Sequence, residues 1–279
     1  MRNWIVFVLA LTATQTAAEC ASDAQIDRFV QDYLANTPAI ALTPDGSMAD
    51  ALCSQAKLVT AMQRHLGPLI GYKTGLTSKP AQDRFGASEP VQGILYRDMM
   101  LDDGASVSEN WGARPVFEAD LILVVGDAAI NQATTPDEVL EHVSSVRPFI
   151  ELPDLTLADG EPITPVTLTA IGVAPKLGVL GSEIAVTDPA AMSQDLMGMT
   201  VTLSAADGEV LAQAPGTAVL GHPANAALWL MSKGIEFAPG DLISVGSFGP
   251  LFPPAKGKGG ASVRYDGLPG NPTVSVIFE

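Results

Sequence analysis

Histidine and cysteine are scarce in this chain, and their scarcity narrows the chemistry at once. Three histidines, His65, His142 and His222, stand among 279 residues with no spacing suited to a shared ion, which excludes a histidine-rich metal centre. Two cysteines, Cys20 and Cys53, are too few for a disulfide-rich scaffold or an all-cysteine zinc site. Basic residues are also few: 15 Lys and Arg against 31 Asp and Glu, a formal charge of −16. That balance excludes sequence-independent nucleic-acid binding, which needs a basic face, and docking on an anionic membrane. No apolar run reaches the roughly 20 residues of a membrane-spanning helix. Hydrophobic residues nevertheless make up 47%, enough for a sizeable core rather than a disordered chain.

The first residues read as an address. Met1-Arg2-Asn3-Trp4 is a short basic start, residues 5–11 are apolar, and Thr16-Ala17-Ala18 fits a small-x-small cleavage site before Glu19. This is the pattern of a secretory signal peptide over residues 1–18, against the alternative of a buried N-terminal helix. Its removal predicts a periplasmic or secreted protein with one more unit of net negative charge. Cys20 and Cys53 both survive cleavage, and an oxidising compartment would allow them to pair; the alternative is a buried Cys53 and a frayed Cys20.

Hydrophobic periodicity divides the rest of the chain. Ser22 and Gln25 form a capping box, and Ile26, Phe29, Val30, Tyr33 and Leu34 fall on one helical face. A second helix is predicted over residues 48–66, stopped by Gly67-Pro68. Residues 19–67 therefore read as an N-terminal helical segment and 68–279 as a second, β-rich unit. There, short apolar runs at residues 69–72, 94–96, 121–125, 166–171, 179–180, 201–203, 242–245 and 274–278 read as strands. Asp207-Gly208 marks a hairpin. Two helices interrupt them: one capped by Thr135-Pro136 with Val139, Leu140, Val143 and Val146 inward, and one over about 223–233. The fold class is α+β, a mainly antiparallel, β-rich mixed sheet with an N-terminal helical pair.

The chemistry concentrates in three segments. Glu118-Ala119-Asp120 opens a buried strand, and residues two apart share a face. Paired carboxylates there need a cation, a shared proton or solvent. Glu151 ends another apolar run, so three acids on two strands could form an oxygen site for Mg²⁺ or Mn²⁺; the alternative is a solvated strand end. Lys73, in Gly71-Tyr72-Lys73-Thr74-Gly75-Leu76-Thr77-Ser78, is a lone cation among apolar residues and glycines, either snorkelling or paired. Gly246-Ser247-Phe248-Gly249-Pro250 is a turn whose Ser247 could meet a substrate carboxylate or simply turn the chain.

These residues carry a resemblance. Gly71–Ser78 resembles the G-Y/W-K-x-G-L-T-S block of the 2-keto-4-pentenoate hydratase/2-oxohepta-3-ene-1,7-dioate hydratase/4-oxalocrotonate decarboxylase family, a branch of the fumarylacetoacetate hydrolase superfamily. Glu118-x-Asp120 stands at its E-x-E, Glu151 and Asp154 in its P-x-x-E-x-x-D-S-R region, and Gly240-Asp241 to Pro250 at its A-G-D…G-S-L-G-P block. The resemblance implies a β-roll-like fold of the fumarylacetoacetase C-terminal type, and Mg²⁺ or Mn²⁺ on Glu118, Asp120 and Glu151. It implies proton handling by Lys73 with Asp154, and substrate contacts from Thr77, Ser78 and Ser247. The implied activity is a hydratase acting on a small 2-hydroxy-dienoic or 2-oxo-alkenoic acid, in a homo-oligomer. A decarboxylase, a C–C hydrolase, or a weakened periplasmic binding protein for 2-oxo acids are the alternatives.

The chain departs from the family pattern at three points. Asp120 replaces a glutamate. Leu155-Thr156 replaces S-R. Ala170-Ile171-Gly172 replaces A-D-N.

Overall fold

The computed structural model describes residues 19–279, so the expected signal peptide lies outside the described residues. Two helices come first. α1 (Asp23–Leu34) starts at a capping box in which the Ser22 hydroxyl accepts from the Gln25 backbone N–H while Gln25 reaches back to Ser22. α2 (Met48–Leu66) has the same device at Ser47 and Asp50 and ends at Gly67. Cys20 and Cys53 form a disulfide that ties the chain before α1 to the middle of α2. Beneath the pair, Phe29, Tyr33, Leu58 and Met62 pack with Tyr96, Met99, Ala170 and Ile171.

The remainder alternates. It runs β1 (Leu69–Gly75), α3 (Lys79–Phe85), β2 (Val91–Tyr96), β3 (Met100–Asp102), β4 (Ala105–Val107) and β5 (Glu118–Val125). Next come α4 (Pro136–Glu141), β6 (Val143–Leu152), α5 (Pro165–Ala170), β7 (Leu177–Leu180), β8 (Ile184–Ala185) and α6 (Pro189–Gly198). The last elements are β9 (Thr200–Ala205), β10 (Val210–Pro215), α7 (Asn225–Ser232), β11 (Leu242–Ser244), β12 (Gly260–Asp266) and β13 (Thr273–Phe278). One sheet has the order β2-β1-β11-β5-β6-β7-β3, with β8 also on β6; the other is β10-β9-β12-β13-β4. Most pairs are antiparallel, but β1–β11, β3–β7 and β4–β13 are parallel.

Strand alternation sorts the side chains. Leu121, Leu123, Val146 and Ile150 of the first sheet join Val201, Leu203, Val263, Val274 and Val276 of the second in one core. Ile122, Phe149 and Leu242 belong to a separate cluster with Leu95, on the opposite face of the first sheet. Glu118 and Asp120 share the face of Ile122, and Glu118 is the register partner of Glu151. Lys73 is the register partner of Ser244, which in turn pairs with Ile122. The sheet order therefore lays Lys73, Ser244, Asp120, Glu118 and Glu151 side by side on one face.

Two predicted elements differ. Residues 166–171 form α5 rather than a strand, because Thr164 caps the helix by accepting from the Thr167 N–H and Pro165 sits at its first turn. Val143 and Val146 are inward, but on β6 and not on a helix: α4 stops after six residues, and pairing with β5 captures the β-branched segment. A register shift between Val124 and Val125 lets both valines point into the core. Helices α3 and α6, each opened by a proline after a Ser or Asp cap, have no counterpart among the expected elements.

Candidate active site

The site is centred on β5 and β6. Lys73 is buried, and its ammonium forms an ion pair with Glu151 Oε1 and donates to the Val173 carbonyl at 3.0 Å. Room for the lysine stem comes from Gly93 on β2, its register partner, where a Cβ would lie 2.6 Å from Lys73 Cγ. The Val173 carbonyl belongs to a tight loop in which Gly172, Val173 and Ala174 have φ of 73°, 61° and 54°. For Val and Ala the left-handed region costs roughly 1–2 kcal/mol each. The loop is held by the Val173 N–H on the Leu168 carbonyl at 2.8 Å and the Asp154 N–H on the Ala174 carbonyl at 3.1 Å.

Three carboxylates lie next to this lysine. Glu118 lies near Ser247, whose hydroxyl donates its one proton to the Gly249 carbonyl at 2.6 Å. Burial, then the neighbouring Glu151, pushes the Glu118 carboxyl well above its usual range; Lys73 and Ser247 oppose the shift. Asp120 is wholly buried and is pushed up to about 7, by burial first and then by Glu151. Its Oδ1 accepts from the Leu121 N–H at 2.6 Å and the Gly246 N–H at 2.9 Å, and Oδ2 accepts from the Ser244 hydroxyl. The Tyr265 hydroxyl of the second sheet donates to the Asp120 carbonyl.

The donor set suits a hard cation in its chemistry. Three carboxylates beside one ammonium leave a formal excess of two negative charges, which one divalent ion matches. Among the described residues, no three Asp, Glu, His or Cys side chains converge as a ready ion site. Glu118 and Glu151 face each other across β5 and β6, while Asp120 is taken up by the backbone of residues 121 and 246.

The remaining expected residues lie on the flanking loops. Asp154 is buried and accepts from the Ala113 N–H at 3.0 Å, the Arg114 N–H at 2.7 Å and the Thr156 hydroxyl at 2.8 Å. Its charge is felt by Tyr33 and Lys176, so it organises the loop after β6 next to α1. Thr77 is buried against Gly246, where a Cβ would lie 2.6 Å from its methyl group and where φ is +99°. Ser78 caps α3, accepting from the Ala81 N–H at 3.4 Å. Thr74 is a member of the site that sequence reasoning misses; its hydroxyl donates to the Val245 carbonyl at 2.7 Å and grips the 244–247 turn from β1. Its position directly after Lys73 on a paired strand is the available signal.

Comparison with known proteins assigns the family and the fold. The family profile described as fumarylacetoacetate (FAA) hydrolase C-terminal matches residues 72–265. The chain belongs to the fumarylacetoacetate hydrolase family. It is 30% identical over 220 residues to the 2-hydroxyhexa-2,4-dienoate hydratase of Comamonas testosteroni, covering 77% of this chain and 81% of that one. It is 32% identical over 213 residues to the 2-keto-4-pentenoate hydratase of Paraburkholderia xenovorans, covering 75% and 77%. Its fold matches the 4-oxalocrotonate decarboxylase of Pseudomonas putida G7, solved with magnesium and adipate, at a TM-score of 0.77 and 22% identity over 92% of this chain and 96% of that one. The expected β-rich fold with N-terminal helices is therefore the observed one, and the protein is a family enzyme similar to 2-keto-4-pentenoate hydratases. No helix among the described residues is long and apolar enough to cross a membrane.

Proposed function

We propose that this enzyme is a divalent-cation-dependent hydratase that adds water to a small 2-hydroxy-dienoic or 2-oxo-alkenoic acid. The observation that carries the reading is the buried Lys73–Glu151 ion pair beside Glu118, a proton-bearing group next to an uncompensated carboxylate pair. Glu118 and Glu151 are the side chains that would hold Mg²⁺ or Mn²⁺; the decarboxylase neighbour was solved with magnesium. When bound, such a cation supplies Lewis-acid stabilisation of an enolate. Lys73 Nζ carries the mobile proton and Glu151 Oε1 is its immediate acceptor, so the pair can give and take one proton at a dienol carbon. The strained loop 172–174 fixes the ammonium through the Val173 carbonyl. Ser247 and Thr77 border the same turn and present hydroxyls to a substrate carboxylate. Asp154 supports this surface from behind, through residues 113 and 114.

The test is the loss of ultraviolet absorbance of 2-hydroxypenta-2,4-dienoate on addition of enzyme with Mg²⁺ or Mn²⁺. Turnover that vanishes on chelation supports the reading; no turnover of any 2-hydroxy-dienoate defeats it. Release of CO₂ would make the enzyme a decarboxylase, and an acid plus a ketone would make it a C–C hydrolase. The apolar Val173 against Lys73, and Ile171 where the family pattern has a polar residue, favour a second reading, a binding protein for 2-oxo acids, which predicts thermal stabilisation by pyruvate without turnover.

Export belongs to the same proposal. A disulfide at Cys20–Cys53 suits an oxidising compartment, and mass spectrometry of the mature chain tests whether it begins at Glu19. Self-association is supported by the exposed Leu34, Ile40, Met48 and Leu52 of the helical segment; sedimentation at more than the monomer mass tests it.

A further inference from the structure

We propose that Asp120 is a positioning residue rather than a ligand, and that this chain holds its divalent cation with two carboxylates, Glu118 and Glu151. The inference rests on the cation dependence proposed above and changes what its three acids do. A carboxylate offers about four lone-pair sites. Asp120 uses three of them inside the fold, on Leu121 N–H, Gly246 N–H and the Ser244 hydroxyl, and has no exposed surface. Glu118 lies beside the Ser247 hydroxyl, which donates to Gly249 instead, and the side chain of Glu151 is paired with Lys73. Asp120 keeps one lone pair of its four, so most of the free lone pairs belong to the two glutamates, which are opposed in register.

The side-chain length explains the division. An aspartate stands where the related family pattern has a glutamate, and it is one methylene shorter. That shorter arm reaches the turn at 244–246 on neighbouring β11. The turn is then gripped from both sides: Asp120 holds the Gly246 N–H, and Thr74 holds the Val245 carbonyl at 2.7 Å. Ser247, the next residue, is placed by that grip and closes its own turn on the Gly249 carbonyl. A two-carboxylate site is ordinary for Mg²⁺, which keeps several waters and takes one or two protein carboxylates together with substrate oxygens. It leaves one more open position for a chelating substrate than a three-carboxylate site does.

The experiment titrates the protein with Mn²⁺, read by loss of the free-ion electron paramagnetic resonance signal. Asp120→Asn is expected to bind Mn²⁺ within about threefold of wild type, while Glu118→Gln weakens it at least about 30-fold. In a turnover assay Asp120→Asn raises KM about tenfold, Ser244→Ala does the same, and the double variant adds nothing, because both act through one turn. Equal loss of Mn²⁺ affinity in Asp120→Asn and Glu118→Gln overturns the proposal. If Asp120→Asn shows no cooperative thermal transition, broadening of the wild-type Mn²⁺ signal in ¹⁷O-water decides. Six octahedral positions less two carboxylates leave about four waters, and about three would overturn it. Absence of Mn²⁺ binding in the wild type removes the cation reading itself, and the two-carboxylate site with it; unequal variants with intact wild-type binding bear on Asp120 alone.

Discussion

The stability of the cation-free protein should fall as pH rises from 5 to 7, and a divalent cation should flatten that fall. Asp120 is pushed up to about 7 and Glu118 is also raised. A carboxylate raised in the fold holds a proton that the unfolded chain releases. Its stabilisation is complete below the ordinary carboxylate range and is lost as pH climbs through the folded value. One such proton gives a slope of about 1.4 kcal/mol per pH unit. The two carboxylates and Glu151 interact, so a single shared proton is the working number. The slope halves as pH reaches the folded value, so from pH 5 to 7 the loss is about 2 kcal/mol, or about 4 °C in Tm for a chain of this size. His222, lowered by burial, acts in the opposite direction by gaining stability up to its unfolded value near 6.5. The difference between scans with and without Mg²⁺ cancels that contribution. Differential scanning calorimetry at half-unit pH steps is the assay, with Glu118→Gln as a variant expected to reduce the slope. A cation-free Tm constant within about 1 °C from pH 5 to 7, or the same slope with saturating Mg²⁺, would refute the account of three mutually opposed acids, two of them buried and one half-buried.

Three more outcomes are expected. Lys73→Met leaves Glu151 buried without its partner; it should cost about 3–5 kcal/mol of stability and lower kcat about 10²–10⁴-fold, checked by urea unfolding and the absorbance assay. Opening the Cys20–Cys53 bridge, whose cysteines are 33 residues apart, should cost about 4 kcal/mol in the chain-entropy model and about 7 °C in Tm; a shift under about 2 °C between reduced and native samples would show that the Ala21–Ser54 and Lys57–Ala21 hydrogen bonds hold the terminus unaided. Gly71→Ala should fail to fold or lose more than about 3 kcal/mol, since its Cβ would lie 2.0 Å from the Leu242 carbonyl; a Tm within a few degrees of wild type would contradict the close β1–β11 approach.

Local signals carried much of this fold. The capping boxes at Ser22 and Ser47 sit where the helices begin, and Asp207-Gly208 turns β9 into β10. The two-residue spacing of Glu118 and Asp120 placed both acids on one face, as the strand requires. What the sequence could not supply was the order of strands. Nothing local to Lys73 says that β11 lies beside it, or that Glu151 is opposite Glu118, because those pairings join segments far apart in the chain. The destination of the Asp120 carboxylate was hidden for the same reason: its partners at 244 and 246 are more than a hundred positions away. The helix at 165–170 resembles a strand for a different reason. Its apolar residues look the same on a short helix as on a strand, and only Thr164-Pro165 distinguishes them.

The parallel seating of β1 against β11 has a consequence in time. The first strand of the site is made early, while the turn that Asp120 and Thr74 grip arrives only after residue 244. Contacts of such long sequence separation form slowly. A chain halted before β11 already opposes Glu118 and Glu151 on β5 and β6 but lacks the strand that seats β1, and Lys73 with it, beside them. Docking of residues 242–247 would then be the step that completes the site, and chains ending before residue 242 should lack the Lys73–Glu151 ion pair however much helix and hairpin they have formed.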